Sequence, residues 1–301
     1  MTPYTHGGDV LTARARFGGD VLDCSANLNP LGMPPAVQAA AAAAAADSAR
    51  YPDPLCRALR AAIAAHDGVA PEQVLCGGGA AELIFRLAYA LRPRRALITA
   101  PAFSEYEEAL TAAGCAVTRH PLRRENRFDV DGGLLDVIAP GVELVFLCTP
   151  NNPTGRLVDG ALLRAARSNA GPLGRCWRWT SAFCPSPTGR GRGWPPVWRS
   201  TPTCCSCGPS PRATPWRACG WATPSPPTAD FWSGWPPPAR PGASPPPPRR
   251  RGWPPWSSAP TWPEKARALL ASERPAPART ALTALGLEVC PGQANYLLFR
   301  A

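Results

Sequence analysis

One stretch constrains the fold of this chain more than any other. The apolar run Val142–Cys148 ends abruptly in Thr149–Gly155, which reads Thr-Pro-Asn-Asn-Pro-Thr-Gly. A short apolar, β-branched run closed by Pro, Asn and Gly is typical of a buried parallel strand followed by a loop. Ligands of open α/β sheets bind at that carboxyl edge. We therefore predict that the amide of Asn152 is held there, with a plain polar turn as the alternative for an Asn-Pro taken alone.

A glycine turn upstream predicts an anion site. Val74–Cys76 has the pattern of a strand end, Gly77, Gly78 and Gly79 follow it, and an apolar helical pattern begins at Ala80. The first-turn amides of such a helix point outward with the positive end of the helix dipole, which suits a phosphate. Glycine runs before helices also form plain turns, so the residues alone leave that alternative open.

The chain then alternates between strand and helix patterns. We predict a strand at Arg95–Ala100, a helix at Glu105–Ala113 and a strand at Ala116–His120, an alternation that favours a parallel sheet. Phe103 follows the first of these strands. An aromatic side chain just past a strand end can stack on a planar ring, with an ordinary core position as the alternative.

Residues 172–260 have a different composition from the rest of the chain. They contain eleven Arg and one acidic residue, so they carry most of the net charge of +11. They also hold 23 of the 40 Pro, 10 of the 11 Trp and 6 of the 12 Cys, but only two branched aliphatics, Leu173 and Val197. A folded enzyme is not expected to lose Leu, Ile and Val over such a length and then regain them. The segment is either a Pro-rich disordered arm or an out-of-frame translation.

The genetic code distinguishes these two interpretations. Cys and Trp codons both begin with TG, so a frame shifted back by one base reads each of them as Leu, Met or Val. With permissible codons, the back-translated stretches are LLAVD for Cys176–Thr180, LLLLRAFTKSYAMAGLRVG for Cys204–Ala222, GPPWSVS for Ala239–Pro245 and QAAGVAAL for Arg249–Trp256. A hidden lysine codon straddles Pro211 and Arg212. We interpret the segment as a compensated frameshift and expect it to be poorly ordered.

Together, the loop around Asn152, the glycine turn and Phe103 resemble the fold-type I pyridoxal-phosphate (PLP) enzymes of the aminotransferase class I/II family. The resemblance covers roughly residues 4–171 and 260–301. Further strings that carry it are His6-Gly7-Gly8, Ser25–Gly32, Tyr51–Pro54, Phe103–Tyr106 and Asn295–Arg300. It implies an α/β fold with a central, mostly parallel sheet flanked by helices, plus a small domain from both chain ends.

The resemblance also implies a division of the chain. Residues 1–50 would form an N-terminal arm and part of the small domain, and residues 51–171 the first part of the large PLP-binding domain. Residues 172–260 would be the out-of-frame remainder of the large domain. Residues 261–301 would be a truncated C-terminal small domain.

The cofactor that the resemblance implies is pyridoxal 5′-phosphate. In the family, the residue matching Asn152 hydrogen-bonds the ring hydroxyl, and the residue matching Phe103 stacks on the ring. Backbone amides at Gly79, Ala80 and Ala81 would bind the cofactor phosphate. Tyr51 matches a residue that reaches the cofactor phosphate of the partner subunit, which implies a homodimer.

The resemblance extends to a substrate class. The strings are most similar to the branch of the family that decarboxylates phosphorylated threonine to aminopropanol phosphate in cobalamin biosynthesis, and the His6-Gly7-Gly8 opening favours this branch. Positions matching His6, Gly7, Asn27 and Asn152 contact the substrate there. The related branch that transfers an amino group from histidinol phosphate is the alternative. The expected partner is therefore a small phosphorylated amino acid or amine.

The family's chemistry depends on a lysine that forms a Schiff base with PLP and on an Asp that keeps the pyridine ring protonated as an electron sink. This chain has a single lysine, Lys265, in a predicted helix at Trp262–Ala271, far from the position implied by the family. The Asp and a phosphate-binding Arg also fall in the shifted segment. We therefore predict no catalytic residue in the chain as written, and we expect it to fold poorly and to be inactive.

Two readings from other classes compete with this one. A non-catalytic, basic Pro/Trp-rich segment could bind single-stranded nucleic acid through Arg and aromatics. Its Pro245–Pro248 run could dock in an aromatic groove. Metal binding by Cys204, Cys205 and Cys207 lacks a nearby CxxC or His, so we predict no metal site.

The sequence also gives an expectation for location. No run of about 18 apolar residues occurs, and the N-terminus lacks a basic-then-apolar signal pattern. We therefore expect a cytoplasmic protein with reduced cysteines.

Overall fold

The computed structural model describes residues 8–24, 31–32, 35–45, 51–67, 70–78, 80–138, 141–168, 176–181, 203–207, 222–223, 278–294 and 296–300. The helices within these ranges are α1 (Val10–Phe17), α2 (Pro35–Ala45), α3 (Arg57–Asp67), α4 (Ala80–Leu91), α5 (Glu105–Ala112), α6 (Gly133–Val137), α7 (Gly160–Ser168) and α8 (Arg279–Ala284). The strands are β1 (Arg95–Ala100), β2 (Ala116–Pro121), β3 (Leu144–Cys148), β4 (Cys176–Ser181), β5 (Thr203–Cys207), β6 (Ala222–Thr223), β7 (Glu288–Cys290) and β8 (Leu298–Arg300). No described helix has the length and hydropathy that crossing a membrane requires.

A six-stranded sheet in the order β2-β1-β3-β4-β5-β6 forms the centre of the described structure. Strand β1 pairs in parallel with β2 and β3, and β4 joins β3 in parallel. Strand β5 runs antiparallel to β4 and parallel to β6. Strands β7 and β8 form a separate antiparallel pair. The predicted α/β fold with a central, mostly parallel sheet is confirmed.

Helices cover both faces of the sheet at β1 and β3. Side chains of a strand alternate between faces, so Ile98 and Phe146 pack with helices α4 and α5, whereas Leu97 and Val145 pack with α6 and α7. All five residues of β3 are buried as a result. Each such side chain contributes roughly 1.5–3 kcal/mol through burial. This two-sided cover explains why the run from Val142 to Cys148 is apolar without alternation.

The predicted elements around the sheet agree with the structure with one exception. Strand β1 has the predicted bounds, and α5, β2 and β3 differ from the predictions by one or two residues. The strand predicted at Val74–Cys76 is wrong. Residues Pro71–Gln73 form a 3-10 turn whose Pro71 carbonyl accepts the Val74 N–H, and Val74 packs in a small cluster with Ile63 and Ala64.

Three strands lie in residues 172–260, for which the sequence predicts poor order. Only the short stretches β4, β5 and β6 of this segment are described. The helix predicted at Trp262–Ala271 and the hidden lysine position at Pro211 and Arg212 lie outside the described residues. The frameshift and the domain boundaries stay predictions.

Candidate functional site

Two loops leave the carboxyl ends of neighbouring parallel strands and meet there. Strand β1 is followed by Pro101, and β3 is followed by the loop that contains Asn151 and Thr154. The Asn151 Nδ2 donates one hydrogen bond to the Pro101 carbonyl at 3.0 Å and another to Thr154 Oγ1 at 3.0 Å. Asn151 therefore joins the two loops at the sheet edge where α/β proteins bind ligands.

Phe103 lies in the loop after β1, at the outer end of a column of aromatic rings. Its ring meets Tyr106 edge-on, with centroids 5.7 Å apart and planes at 83°. Tyr106 stacks on Phe146 of β3 with centroids 4.8 Å apart and planes at 16°. Tyr106 and Phe146 are fully buried, whereas Phe103 is half-buried. The column supports Phe103 from the core and leaves the ring at the surface of the loop.

Asn152 follows the buried Asn151 and is half-buried itself. Its side-chain amide makes no hydrogen bond within the described part of the chain. The amide therefore has donor and acceptor capacity to offer to a ligand at this edge.

The glycine turn binds an oxyanion that belongs to the chain itself. The Gly78 N–H donates to Glu82 Oε2 at 2.5 Å, and Glu82 Oε1 accepts from Arg86 Nη1 at 3.4 Å. Glu82 lies in the first turn of α4, where the helix dipole favours a negative charge. The turn thus has the polarity that an anion requires.

The turn is also packed closely against α4. A Cβ added to Gly77 would lie 2.8 Å from Leu83 Cδ2, so the backbone approaches the helix as only glycine allows. Ala80 and Ala81 begin α4, where helix geometry leaves the first amides without intrahelical acceptors. Ala80 packs against the same buried cluster as Phe103. The amide-bearing turn and the aromatic therefore share one side of the sheet.

Residues from the C-terminal part of the chain contact the loop after β3. The Tyr296 hydroxyl donates to the Asn151 carbonyl at 2.7 Å, and the Gln293 N–H donates to the Gly155 carbonyl at 2.7 Å. A Cβ on Gly155, whose φ is +69°, would lie 3.2 Å from the Cα of Gly292. Glycine at this position permits both the left-handed backbone and the close approach.

Arg156 strengthens the same contact. Its guanidinium donates to both carboxylate oxygens of Asp129, at 2.6 and 2.7 Å, and its Nη1 donates to the Pro291 carbonyl at 3.0 Å. Bidentate pairs of this kind fix geometry as well as contributing energy. One mostly buried side chain therefore ties together the connection after β2, the loop after β3 and the C-terminal residues.

Two cysteines that come before the glycine turn in the sequence, Cys56 and Cys76, are joined by a hydrogen bond between their thiols. A hydrogen bond from the Cys76 thiol lowers the pKa of Cys56 to about 7, against the opposing effect of burial. The same hydrogen bond, with burial, raises the pKa of Cys76. Among the residues with described side chains, no group of three His, Cys, Asp or Glu is arranged to hold a metal ion.

The structure places only some of the residues that the sequence singled out. Phe103 and Asn152 lie in the loops that follow β1 and β3, and Ala80 packs against the same buried cluster as Phe103, with Ala81 next in α4. Tyr51 is 94% exposed. The remaining predicted positions, His6, Gly7, Asn27 and Gly79, lie outside the described residues. The functional roles of all these residues stay predictions.

Sequence reasoning missed the residues that support the site. Asn151, Arg156 and Tyr296 were not predicted to have roles, although Asn151 neighbours Asn152 and Tyr296 belongs to a string that resembles the family. A second Asn directly after a buried strand was the available signal for Asn151. Nothing local predicts the contact with Tyr296, because 145 residues separate the two.

The architecture agrees with that of a known class of enzymes. The structure is similar to aspartate aminotransferase from Thermus thermophilus with maleate, with a TM-score of 0.62 over 96% of this chain and 79% of that chain at 19% identity. The fold is that of fold-type I PLP-dependent aminotransferases. Residues 19–170 match the family named aminotransferase class I and II, and the chain belongs to this family. Enzymes of the family depend on pyridoxal phosphate.

Two curated relatives are similar to this chain over about half of its length. The chain is 41% identical over 163 residues to threonine-phosphate decarboxylase of Salmonella typhimurium, which covers 53% of this chain and 45% of that protein. It is 34% identical over 162 residues to histidinol-phosphate aminotransferase of Halalkalibacterium halodurans, covering 53% and 43%. The chain thus spans about half the length of the curated relatives it matches.

Proposed function

We propose that this chain derives from a PLP-dependent carboxy-lyase that decarboxylates L-threonine O-3-phosphate to (R)-1-amino-2-propanol phosphate in cobalamin biosynthesis. We call the loop after β1 the Phe103 loop and the loop after β3 the Asn152 loop. The observation that carries the proposal is the hydrogen bond from Asn151 to Pro101, which joins these two loops at the carboxyl edge of the sheet. The 41% identity to threonine-phosphate decarboxylase favours this reaction within the family.

The described residues fit the cofactor. Phe103 would stack on one face of the ring and exclude water from it. The Asn152 amide, which makes no hydrogen bond to the described residues, would bind the ring hydroxyl. Amides at Ala80 and Ala81, and at Gly79 outside the described residues, would bind the phosphate, and the Gly78 N–H beside them already donates to a carboxylate oxygen. When bound, the cofactor supplies an electron sink for the bonds at the substrate's α-carbon.

We further propose that the chain as written is inactive because its cofactor-anchoring lysine is lost in the shifted segment. Strand β4 supports this reading. Thr180 pairs in register with Cys148, the last residue of β3. The shifted frame encodes Asp at position 180, so the frame-restored strand would carry a carboxylate beside the last residue of β3. Such a carboxylate would keep the pyridine ring of the cofactor protonated.

Substrate and subunit contacts complete the proposal. His6, Gly7 and Asn27 would contact the phosphorylated amino acid together with Asn152. Tyr51, which is 94% exposed, would contact the cofactor phosphate of a second subunit, so the active form would be a homodimer.

The test compares the chain as written with a frame-restored chain whose residues 172–260 are read one base back. The DNA from codon 170 to codon 262 is sequenced first, because a hidden lysine triplet across positions 211 and 212 is required. We expect the restored chain to release CO2 from threonine phosphate and the written chain to release none. Turnover by the written chain, or no lysine triplet in the gene, would refute the inactive-copy proposal.

Histidinol-phosphate aminotransferase is the second candidate, favoured by 34% identity over a similar span. The two activities differ in product. The restored chain is supplied with histidinol phosphate and 2-oxoglutarate, and glutamate is measured. Glutamate formation without CO2 release from threonine phosphate would select the aminotransferase.

A further inference from the structure

We propose that Asn151 is a positioning residue: it fixes the Phe103 loop and the Asn152 loop relative to each other, and the Tyr296 hydroxyl fixes Asn151 in turn. The geometric part stands on contacts alone. Its consequence for ligand binding rests on the proposed function, in which Phe103 and Asn152 contact the cofactor.

The orientation of the Asn151 amide is determined by its partners. A backbone carbonyl can only accept, so the atom facing the Pro101 carbonyl must be the nitrogen Nδ2. In this orientation Asn151 Oδ1 is buried, in a residue that is 1% exposed, and no described residue donates a hydrogen bond to it. An unpaired buried acceptor destabilises the fold. Stability alone therefore does not explain the Asn151 amide, whereas a role in linking the two loops does.

The main chain of Asn151 is fixed as firmly as its side chain. Its N–H donates to the Arg156 carbonyl at 2.7 Å, and its carbonyl accepts from the Gly155 N–H at 2.6 Å and from the Tyr296 hydroxyl at 2.7 Å. These bonds close the loop on itself and attach it to the C-terminal residues. Asn152 follows directly, so its backbone direction is set by the Asn151 peptide.

The link also reaches Phe103. Pro101, whose carbonyl accepts from Asn151, is two residues before Phe103, and the Phe103 carbonyl accepts the Tyr106 N–H at 3.3 Å at the start of α5. The loop between β1 and α5 is thus fixed at its first residue by Asn151 and at its far end by the helix. Loss of the Asn151 amide frees the first of these two points.

The test uses hydrogen–deuterium exchange on the full chain. In Asn151→Ala, we expect exchange to rise about tenfold in peptides covering residues 101–106 and 151–157, because each loop loses a buried hydrogen bond. In Tyr296→Phe, which removes one hydroxyl and no bulk, we expect a smaller rise confined to residues 151–157. If Asn151→Ala does not fold, Tyr296→Phe still tests whether the Tyr296 hydroxyl fixes the loop that contains Asn151, and unchanged exchange at residues 151–157 would contradict the proposal.

Two matched controls are available. Asn126 also donates twice through Nδ2, to the Asp129 carbonyl and to Asp131, and its Oδ1 is also buried with no partner in the part of the chain that the structure describes. Its partners are three and five residues away, so Asn126→Ala should raise exchange only around residues 126–131. Tyr89, on α4 and 43% exposed, supplies the control Tyr89→Phe, which should change neither loop.

A spectroscopic measurement separates positioning from general destabilisation. Each variant is made in the frame-restored chain, pyridoxal phosphate is added, and the absorption spectrum of the bound ring is recorded. Asn151→Ala should shift the spectrum toward that of Asn152→Ala, and adding Asn151→Ala to Asn152→Ala should change it little further. If Asn151 had a purely structural role, Asn151→Ala would change the spectrum by the same amount in the parent chain and in the Asn152→Ala variant.

The outcomes of the two measurements are independent. If the frame-restored chain binds no pyridoxal phosphate, the proposed function fails, while the exchange data still test the link between the two loops. If Asn151→Ala leaves exchange at residues 101–106 unchanged, the positioning proposal is overturned even where the cofactor binds.

Discussion

Strands β3 and β4 lie side by side in the sheet but have very different sequences. Strand β3 is Leu-Val-Phe-Leu-Cys, and all five residues are buried between helices on two faces. Strand β4, paired with it from Leu144↔Cys176 to Cys148↔Thr180, reads Cys-Trp-Arg-Trp-Thr-Ser. An interior parallel strand is normally a run of branched aliphatics. The difference teaches that β4 occupies a place in the sheet that its written residues do not suit, as a frameshift would produce.

Restoring the reading frame of residues 172–260 should have the largest effect. The shifted frame would replace Cys and Trp by Leu, Val or Met, so β4 and β5 would gain aliphatic side chains. We expect the free energy of unfolding to rise by at least about 5 kcal/mol, the lower end for a native domain. Urea denaturation followed by circular dichroism measures it.

Partial restoration provides the control for this experiment. Restoring only residues 239–256 leaves β4 and β5 as written, so the gain should be a minor part of the whole. If the written and restored chains unfolded at the same urea concentration, the claim that the written residues of β4 do not suit its place in the sheet would be wrong.

The next largest effect should come from removing a core aromatic ring. Phe146→Ala deletes the ring that stacks on Tyr106 and should destabilise the sheet by about 3–5 kcal/mol. Phe231→Ala makes the same chemical change in residues 172–260, which are poor in branched aliphatics, and should cost less than about 0.5 kcal/mol. Hydrogen exchange of the β1 and β3 amides gives both values. Equal effects would show that residues 172–260 share the core.

A smaller effect should follow from adding one methyl group to the glycine turn. Gly77→Ala brings Cβ to 2.8 Å from Leu83 Cδ2 and should cost about 1–3 kcal/mol through overpacking. Gly132→Ala is the matched variant, since no atom lies within 4 Å of its added Cβ, and it should change stability by no more than about 0.5 kcal/mol. Exchange of α4 and α6 amides compares the two. A neutral Gly77→Ala would mean that the turn is loosely packed.

The smallest effect concerns reactivity rather than stability. Because the pKa of Cys56 is lowered to about 7 by the Cys76 thiol, its thiolate forms as pH rises through about 7. Alkylation of Cys56 should level off soon above that pH, whereas cysteines of residues 172–260 should keep accelerating toward about pH 9. Cys76→Ala removes the donor and should move the Cys56 profile to higher pH. Mass spectrometry of alkylated peptides follows each site, and an unmoved profile would contradict the assigned cause.

The parts of the fold that follow from local pattern could be predicted from the sequence. Strand β1 was predicted residue for residue, because its apolar run and the turn residues after it are both local signals. The strand predicted at Val74–Cys76 failed because an apolar run in contact with a helix cluster looks the same in sequence as one in a sheet. Only a partner strand distinguishes these two cases, and a short stretch of sequence does not show whether such a partner exists.

The candidate site divides in the same way. The positions of Phe103 and Asn152 followed from strand ends and from resemblance. The contacts that support them did not, because the Asn151 bonds to Pro101 and Tyr296 join residues 50 and 145 positions apart. The Glu82 carboxylate on the glycine turn was also unforeseen, since its hydrogen bond depends on how tightly the turn folds over α4.

The attachment of the Asn152 loop to Pro291, Gln293 and Tyr296 has a consequence for synthesis on the ribosome. Strands β1 and β3 emerge long before these three residues, and chains generally begin folding from the N-terminal side. The sheet edge can therefore form early, but the loop lacks its last hydrogen bonds until some 140 further residues have been translated. A nascent chain that stops within the Pro- and Trp-rich stretch would expose an unfinished ligand edge to chaperones and proteases.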